Sequence, residues 1–396
     1  AMIVTFSYWI FGFLRMGTAG LAAQAIGAGD DDEATALLMR GLLIAAVAGG
    51  AVILLQWPII HLGLMAVSSS PEVEEMARGY ASIRFFSAPA AIAIYAITGW
   101  LIAAERTREV LILQLWMNGL NIALDLLFVL GFEWGVEGVA IATLIAEWSG
   151  ALLGLWLLRA CFRGTAWRDR ALILRADRLR RMMAVNGDIL IRTLLLQTGF
   201  ALFTIHSAGQ GEVNLAANHV LMNFLFIIAH ALDGFAFAAE ALVGQSLGAR
   251  NRAKLRRAAL ICGLWGMIVA GVLALAFLIG GPAIIEVITT APDVRAAAMA
   301  YLLWLVASAP VSLPSFMLDG IFIGATRTRE MRNAMIISLG VYLIALFTLP
   351  NLFGNHGLWA AMLIFFIARA VTLAVRYPAL EAAAEIGADG RVQGTS

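Results

Sequence analysis

The chain has 396 residues, 61% of them hydrophobic and 13% charged, with a formal net charge of +1 and a mean hydropathy of +0.87. A soluble domain is about 45–50% apolar and about 25% charged, so a water-facing fold of this length could not hide so much apolar surface. The expected class is an all-α polytopic membrane protein. The near-neutral charge offers no footprint for nucleic acid. Cys161 and Cys262 lie far apart, forming neither a disulfide framework nor a metal-ligand spacing.

Crossing a bilayer takes about 17–25 apolar residues. Such runs occur in chain order at 2–27, 36–64, 73–104, 110–130, 138–159, 189–208, 215–248, 258–280, 294–325, 335–352 and 357–376. The first of the eleven opens the chain with no polar leader before it, unlike a signal peptide.

An internal repeat organises these runs. "AQAIGAGD" at 23–30 returns as "GQSLGARN" at 244–251, and "ERTREV" at 105–110 returns as "TRTREM" at 326–331. Gln24 and Gln245, Pro71 and Pro292, Tyr80 and Tyr301, and Pro89 and Pro310 are all separated by that same interval. One register held over more than eighty residues marks two homologous halves of six helices. The helix at 189–208 has no counterpart within the numbering, so a twelve-helix protein lacking its first helix in this sequence is expected. The expected layout is an N-terminal lobe at 1–159, a basic cytoplasmic linker at 160–187, a C-terminal lobe at 188–376 and a cytoplasmic tail at 377–396.

Arginines and the single lysine, Lys254, gather in the loops after the first, third, fifth, seventh and ninth runs and at the C-terminal end. Positive charge marks the cytoplasmic side, which puts both termini of the full protein in the cytoplasm of a plasma (inner) membrane. Six helices per half make the repeats parallel, related by a pseudo-two-fold axis along the membrane normal. Lobes so related suit alternating access. The linker, "RACFRGTAWRDRALILRADRLRRMM", reads as a positive-inside segment with a short interfacial helix that meets membrane lipids.

Within this apolar background, polar residues fall into stripes. Gln114, Asn118, Asn121 and Asp125 sit at i, i+4, i+7 and i+11 of one run, on one narrow helical face. An Asp at the bilayer centre costs about 2.5–3.5 kcal/mol on insertion scales, so it normally faces a cavity or a partner. Carboxylate and amide oxygens in this pattern could coordinate a cation, and the acid could instead carry a proton. The next run offers Thr143 and Glu147. Asn223, His230, Asp233 and Glu240, with His219, form a second stripe on 215–248. Its alternative is structural pairing with Arg15, Arg84, Arg192 or Arg369. Ser308, Ser312, Ser315 and Asp319 form a third stripe, and Asp188 with Arg192 is expected to make a local i, i+4 salt bridge. No P-loop, HExxH or GxSxG is present, so an ion gradient and not ATP or an enzymatic centre must supply any work.

The two halves, with "FGFLRMGTAGLAAQAIGAGD", "NGDILIRTLLLQ", "LAANHVLMNFL" and "LDGFAFAAEALVGQSLGARNRAKLRRA", resemble the multidrug and toxic compound extrusion (MATE) family over essentially the whole chain. The likeness is greatest to its DNA-damage-inducible F (DinF) branch. The resemblance implies a V-shaped, two-lobe antiporter that exports organic cations against protons or sodium, with no cofactor beyond the coupling ion. It also implies a first-lobe cation site of a helix-one Asp, an Asn-x-x-x-Asp pair and a Thr. Asn121 and Asp125 match the pair, and Thr143 falls at the Thr position; Asp125 and Asn121 would be metal ligands only under sodium coupling. Gln114, Asn118, Glu147, Asn223, His230, Asp233, Glu240 and Asp319 are the further candidates for the cation or substrate pathway. A monomer is expected. The alternative is a lipid-linked oligosaccharide flippase of the same superfamily. It would be expected to need a cationic cavity for pyrophosphate, whereas acids equal or outnumber arginines inside these helices.

Overall fold

A backbone in hydrocarbon must satisfy every N–H and C=O internally, which leaves long apolar runs only the helix. In the computed structural model, which describes residues 2–65 and 70–385, they are helices. The first run is α1 (Met2–Trp9) and α2 (Phe13–Gly27), joined by a 3-10 turn over Ile10–Gly12. The second is α3 (Asp31–Leu54) and α4 (Gln56–Met65). They part just ahead of Pro58, which cannot donate to the Leu54 carbonyl. In the third, α5 (Pro71–Phe85) and α6 (Ala88–Ala103) meet at 53°, with Pro89 in the first turn of α6.

Next come α7 (Thr107–Asp125), α8 (Gly135–Leu157), the short α9 (Arg170–Ile173) and α10 (Ala176–Ala208). α10 begins earlier than the apolar run suggests because its polar opening, rich in Ala, Arg, Leu and Met, consists of good helix formers. The linker turns are tied to α3 by the fully buried Arg40. Arg40 pairs with Glu33 at 2.7 Å and donates to the carbonyls of Leu172 and Ile173 at 2.8 and 2.9 Å.

The rest of the chain is α11 (Glu212–Gly248), α12 (Arg252–Ile288), α13 (Pro292–Gly324), α14 (Thr328–Ala374) and α15 (Tyr377–Ala382). α14 holds the last two expected runs, divided at Gly354, whose φ of 56° and ψ of −136° are not helical. Eight helices among the described residues are individually long and apolar enough to span, or nine with the bent α5–α6 pair counted as one. The count of eleven also needs the interrupted α1–α2 and the division of α14. Two compact units divide the chain, residues 1–186 and 187–396.

The repeat is visible in backbone detail. Positive φ recurs in pairs at the repeat interval: Gly29 with Arg250, Glu105 with Thr326, and Glu133 with Gly354. Asp30 caps α3 by accepting from the Glu33 N–H, and Asn251 caps α12 by accepting from the Lys254 N–H. Arg106 folds back onto Glu109 at 3.0 Å, and Arg327 onto Glu330 at 2.6 Å. A Cβ on Gly99 would stand 2.3 Å from the Arg15 carbonyl oxygen, and one on Gly320 would stand 2.3 Å from that of Ala236. Both glycines therefore let α6 meet α2, and α13 meet α11, backbone to backbone, as small residues do in membranes.

Candidate functional site

The polar stripe of α7 faces α8 at its lower end. Small residues on α8 make that contact close: a Cβ on Gly150 would lie 2.5 Å from Met117. Asn121 Nδ2 donates to Thr143 Oγ1 at 3.1 Å, and that hydroxyl donates onward to the Val139 carbonyl at 2.9 Å. Asn121 thus keeps its amide oxygen out of this bond. Asp125, one turn on, is half-buried, and its buried Oδ1 has no hydrogen-bond partner among the described residues. A carboxylate oxygen withheld from water and from protein donors is costly unless it binds a proton or a cation. Directly after Asp125 the helix widens into a π stretch over Leu126–Gly131. There the Phe132 N–H donates to the Leu127 carbonyl at 3.0 Å. Such widenings are frequent at functional sites, and sequence periodicity carried no sign of this one. Gln114 and Asn118 lie further up the stripe and are exposed on the chain's surface, with Asn118 Nδ2 donating to the Gln114 carbonyl at 3.0 Å.

Glu147 shares the α8 face with Thr143 but has a different occupation. Its two oxygens take both ends of the Arg84 guanidinium at 2.7 and 2.9 Å. Arg84 Nη1 also donates to Ser87 Oγ at 2.8 Å, and the Tyr8 ring lies 5.5 Å from the guanidinium carbon. The Tyr8 hydroxyl donates to the Arg84 carbonyl. This network holds the α5–α6 bend against α8. Glu147, a candidate pathway residue, is here the acid of a largely buried, bidentate ion pair with Arg84.

In the second unit Asp319 is likewise engaged. Its Oδ2 accepts from Arg192 of α10 and, at 2.5 Å, from Arg369 of α14. Arg369 is 1% exposed and lies 5.6 Å from the Phe316 ring and 5.8 Å from that of Phe365. Asp233 of α11 acts on the same guanidinium electrostatically. Glu240 is buried further along α11. Asn223 and His230 are exposed on that helix, and His230 Nδ1 lies 2.6 Å from the Phe226 carbonyl oxygen. The serine stripe above Asp319 is spent locally. Ser308, Ser312 and Ser315 donate to the carbonyls of Leu305, Ala309 and Ser312 on their own helix. Arg192 being committed to Asp319, Asp188 pairs instead with Arg332 at 2.6 Å and accepts from Thr328. The expected Asp188–Arg192 bridge is therefore not formed.

The candidates are thus not equivalent. At the repeat interval the counterparts of Asn121 and Asp125 are Tyr342 and Leu346, and the counterpart of Asp319 is Thr98. The Asn121–Thr143–Asp125 set belongs to the first half alone, and the Arg192–Asp319–Arg369 cluster to the second. Among the described residues no group of three or more His, Cys, Asp or Glu could hold a metal. A bound sodium would have to use amide and hydroxyl oxygens beside the one carboxylate. One further buried network escaped sequence reading. Asn218 donates to Ser207 Oγ and Asn355 Oδ1 at 2.7 and 2.6 Å, and its own amide oxygen accepts from Trp359 at 2.8 Å.

Comparison with known proteins agrees with the repeat and the helical frame. The sequence profile of the MatE family matches residues 1–127 and 189–348. DNA damage-inducible protein F of Escherichia coli K12 is 41% identical over 94% of this chain and 82% of its own length. A probable multidrug resistance protein NorM of Bradyrhizobium diazoefficiens is 26% identical over 71% of this chain and 61% of its own. An outward-facing multidrug resistance MATE family transporter of the MOP superfamily superposes with a TM-score of 0.83, covering 96% of this chain and 86% of that one at 19% identity. By its family match, its identity to the DinF protein and its shared fold, the chain belongs to the MatE (MATE) family and is a multi-pass membrane transporter of the DinF branch.

Proposed function

We propose that this transporter is an antiporter that exports organic cations in exchange for protons or sodium, with Asp125 as the coupling carboxylate. The observation that carries the reading is the pairing state of the membrane acids. Glu147 and Asp319 are each held by arginines, whereas the buried Oδ1 of Asp125 has no donor among the described residues. Asn121 and Thr143 stand beside it as neutral oxygen ligands. Exposed to the outside, Asp125 takes up a proton or a sodium ion, and the loaded site favours a state with lower affinity for the organic cation, which leaves. Facing inward, the ion departs and the next organic cation enters. Coupling requires that the two ligands differ in affinity between states. The π stretch at Leu126–Gly131 supplies a backbone of changeable register next to the charge that changes. Gln114, Asn118, Asn223 and His230, exposed on the chain's surface, belong to the organic cation's path in this reading. The protein acts as a monomer in the plasma (inner) membrane, with both termini of the full-length chain cytoplasmic.

The test is uptake of a fluorescent lipophilic cation by inverted vesicles under an imposed pH or sodium gradient. Asp125→Asn should lose at least about tenfold of gradient-driven transport while keeping its elution profile in detergent. Transport by Asp125→Asn at the parent rate would refute the assignment.

A further inference from the structure

At the cytoplasmic start of α12, the chain forms an open cavity of about 590 Å³ lined by α12 and by Glu381 of α15 and Glu385 just after it. On one wall Arg252 is consumed internally, pairing with Glu381 at 3.0 Å and Glu385 at 3.2 Å. Arg256 and Arg257 also line the cavity, and neither pairs with a carboxylate among the described residues. One turn deeper its floor is apolar, formed by Leu260 and Ile261, which are 63% and 44% exposed. The greasy face continues beyond the cavity through Leu264, Met267, Ile268 and Leu275, all exposed large hydrophobics at helical spacing. Along one helix face the order is therefore two open cations at the cytoplasmic rim, then an unbroken lipid-facing stripe. That is the polarity profile of an inner-leaflet phospholipid standing beside the helix.

We propose that this cavity binds the headgroup of an anionic phospholipid, its phosphate on Arg256 and Arg257 and its acyl chains along Leu260, Ile261 and Leu264. The general excess of cytoplasmic arginine does not account for it. The repeat counterparts at the start of α3 are Asp31, Thr35 and Ala36 in place of Arg252, Arg256 and Arg257, so the first half has the helix without the cations. The carboxylates of Glu381 and Glu385 serve to position Arg252 as a wall, leaving the two other arginines to the ligand. Basic pockets on the cytoplasmic side of membrane helices are suited to anionic headgroups, and each cation near such a surface contributes a comparable increment.

The experiment is native mass spectrometry of the purified full chain titrated with phosphatidylglycerol or with phosphatidylcholine of the same acyl chains. Phosphatidylglycerol should bind saturably and more tightly than phosphatidylcholine. Arg256→Gln/Arg257→Gln should weaken phosphatidylglycerol about thirtyfold and phosphatidylcholine hardly at all. Arg257→Gln alone should weaken it about fivefold, which decides the matter if the double variant accumulates poorly. Leu260→Asn/Ile261→Asn, which keeps both cations, should also weaken phosphatidylglycerol. Equal binding of the two lipids, or arginine variants that bind like the parent, would overturn the proposal. Displacement of the lipid by an equal concentration of glycerol phosphate would overturn it too, since the site would then be one for a free cytosolic anion.

Discussion

Changing Asp319 and Asp125 to Asn is the same chemical substitution, and the structure assigns it opposite consequences. Asp319 offers one carboxylate oxygen to two guanidinium groups, and Arg369 is 1% exposed. In Asp319→Asn those two cations remain buried with a neutral acceptor between them. Removing one partner of a buried ion pair costs about 3–5 kcal/mol, because a desolvated charge is left uncompensated. At about 2–4 °C per kcal/mol for a unit of this size, the melting temperature should fall by on the order of 10 °C. Asp125→Asn leaves nothing unpaired, because its buried Oδ1 accepts no hydrogen bond among the described residues. It should melt within about 2 °C of the parent, as a substitution that breaks no buried network does. The assay is thermal unfolding of both variants in the same detergent, read by loss of the monodisperse peak. A compensating change checks the cause. The Arg192, Asp319 and Arg369 side chains together carry one net positive charge, and Asp319→Asn/Arg192→Gln carries the same. The double variant should therefore recover about half of the lost stability. A melting temperature for Asp319→Asn equal to that of Asp125→Asn would refute the argument, as would a double variant less stable than the single one.

Three other outcomes are expected. Glu147→Gln should strand Arg84, 7% exposed, and destabilise the chain by about 3 kcal/mol, whereas Glu147→Leu/Arg84→Met should melt close to the parent; the melting series measures both. Gly99→Leu and Gly320→Leu each push a side chain into a carbonyl that a Cβ alone would meet at 2.3 Å. Each should cost about 1–3 kcal/mol or more, read as lost monodisperse yield. Burial holds the Cys161 thiol above the ordinary cysteine range. A raised pKa means less thiolate at any pH below it. Its alkylation, followed by peptide mass spectrometry, should be slower at neutral pH than that of a free thiol and keep rising at pH values where the free thiol has levelled off.

Composition and pattern alone settled the class of protein, the helical content, the internal repeat and the resemblance to the MATE family. The physical reason is that these are properties of single segments. Hydrocarbon demands long apolar helices whatever their neighbours, and a duplicated register survives as fixed spacings such as Pro71 with Pro292 and Pro89 with Pro310. The stripe of Gln114, Asn118, Asn121 and Asp125 was legible for the same reason, since helical periodicity places one face without any knowledge of what it meets.

Only the tertiary structure decided which buried charges are spoken for. Asp188 and Arg192, adjacent on one helix, looked like partners, yet Arg332 and Asp319 claim them from other helices. Arg84 meets Glu147 from 63 residues away, and Arg369 meets Asp319 from 50. In a low-dielectric interior a charge pairs with whatever counter-charge the packing delivers at bonding distance, so the choice is made by helix contacts and not by spacing along the chain. The same holds for the π stretch at Leu126–Gly131, a local change of winding beside Asp125 that no residue pattern announced. Sequence thus marked several membrane acids as candidates, and packing set two of them, Glu147 and Asp319, apart by giving them arginine partners.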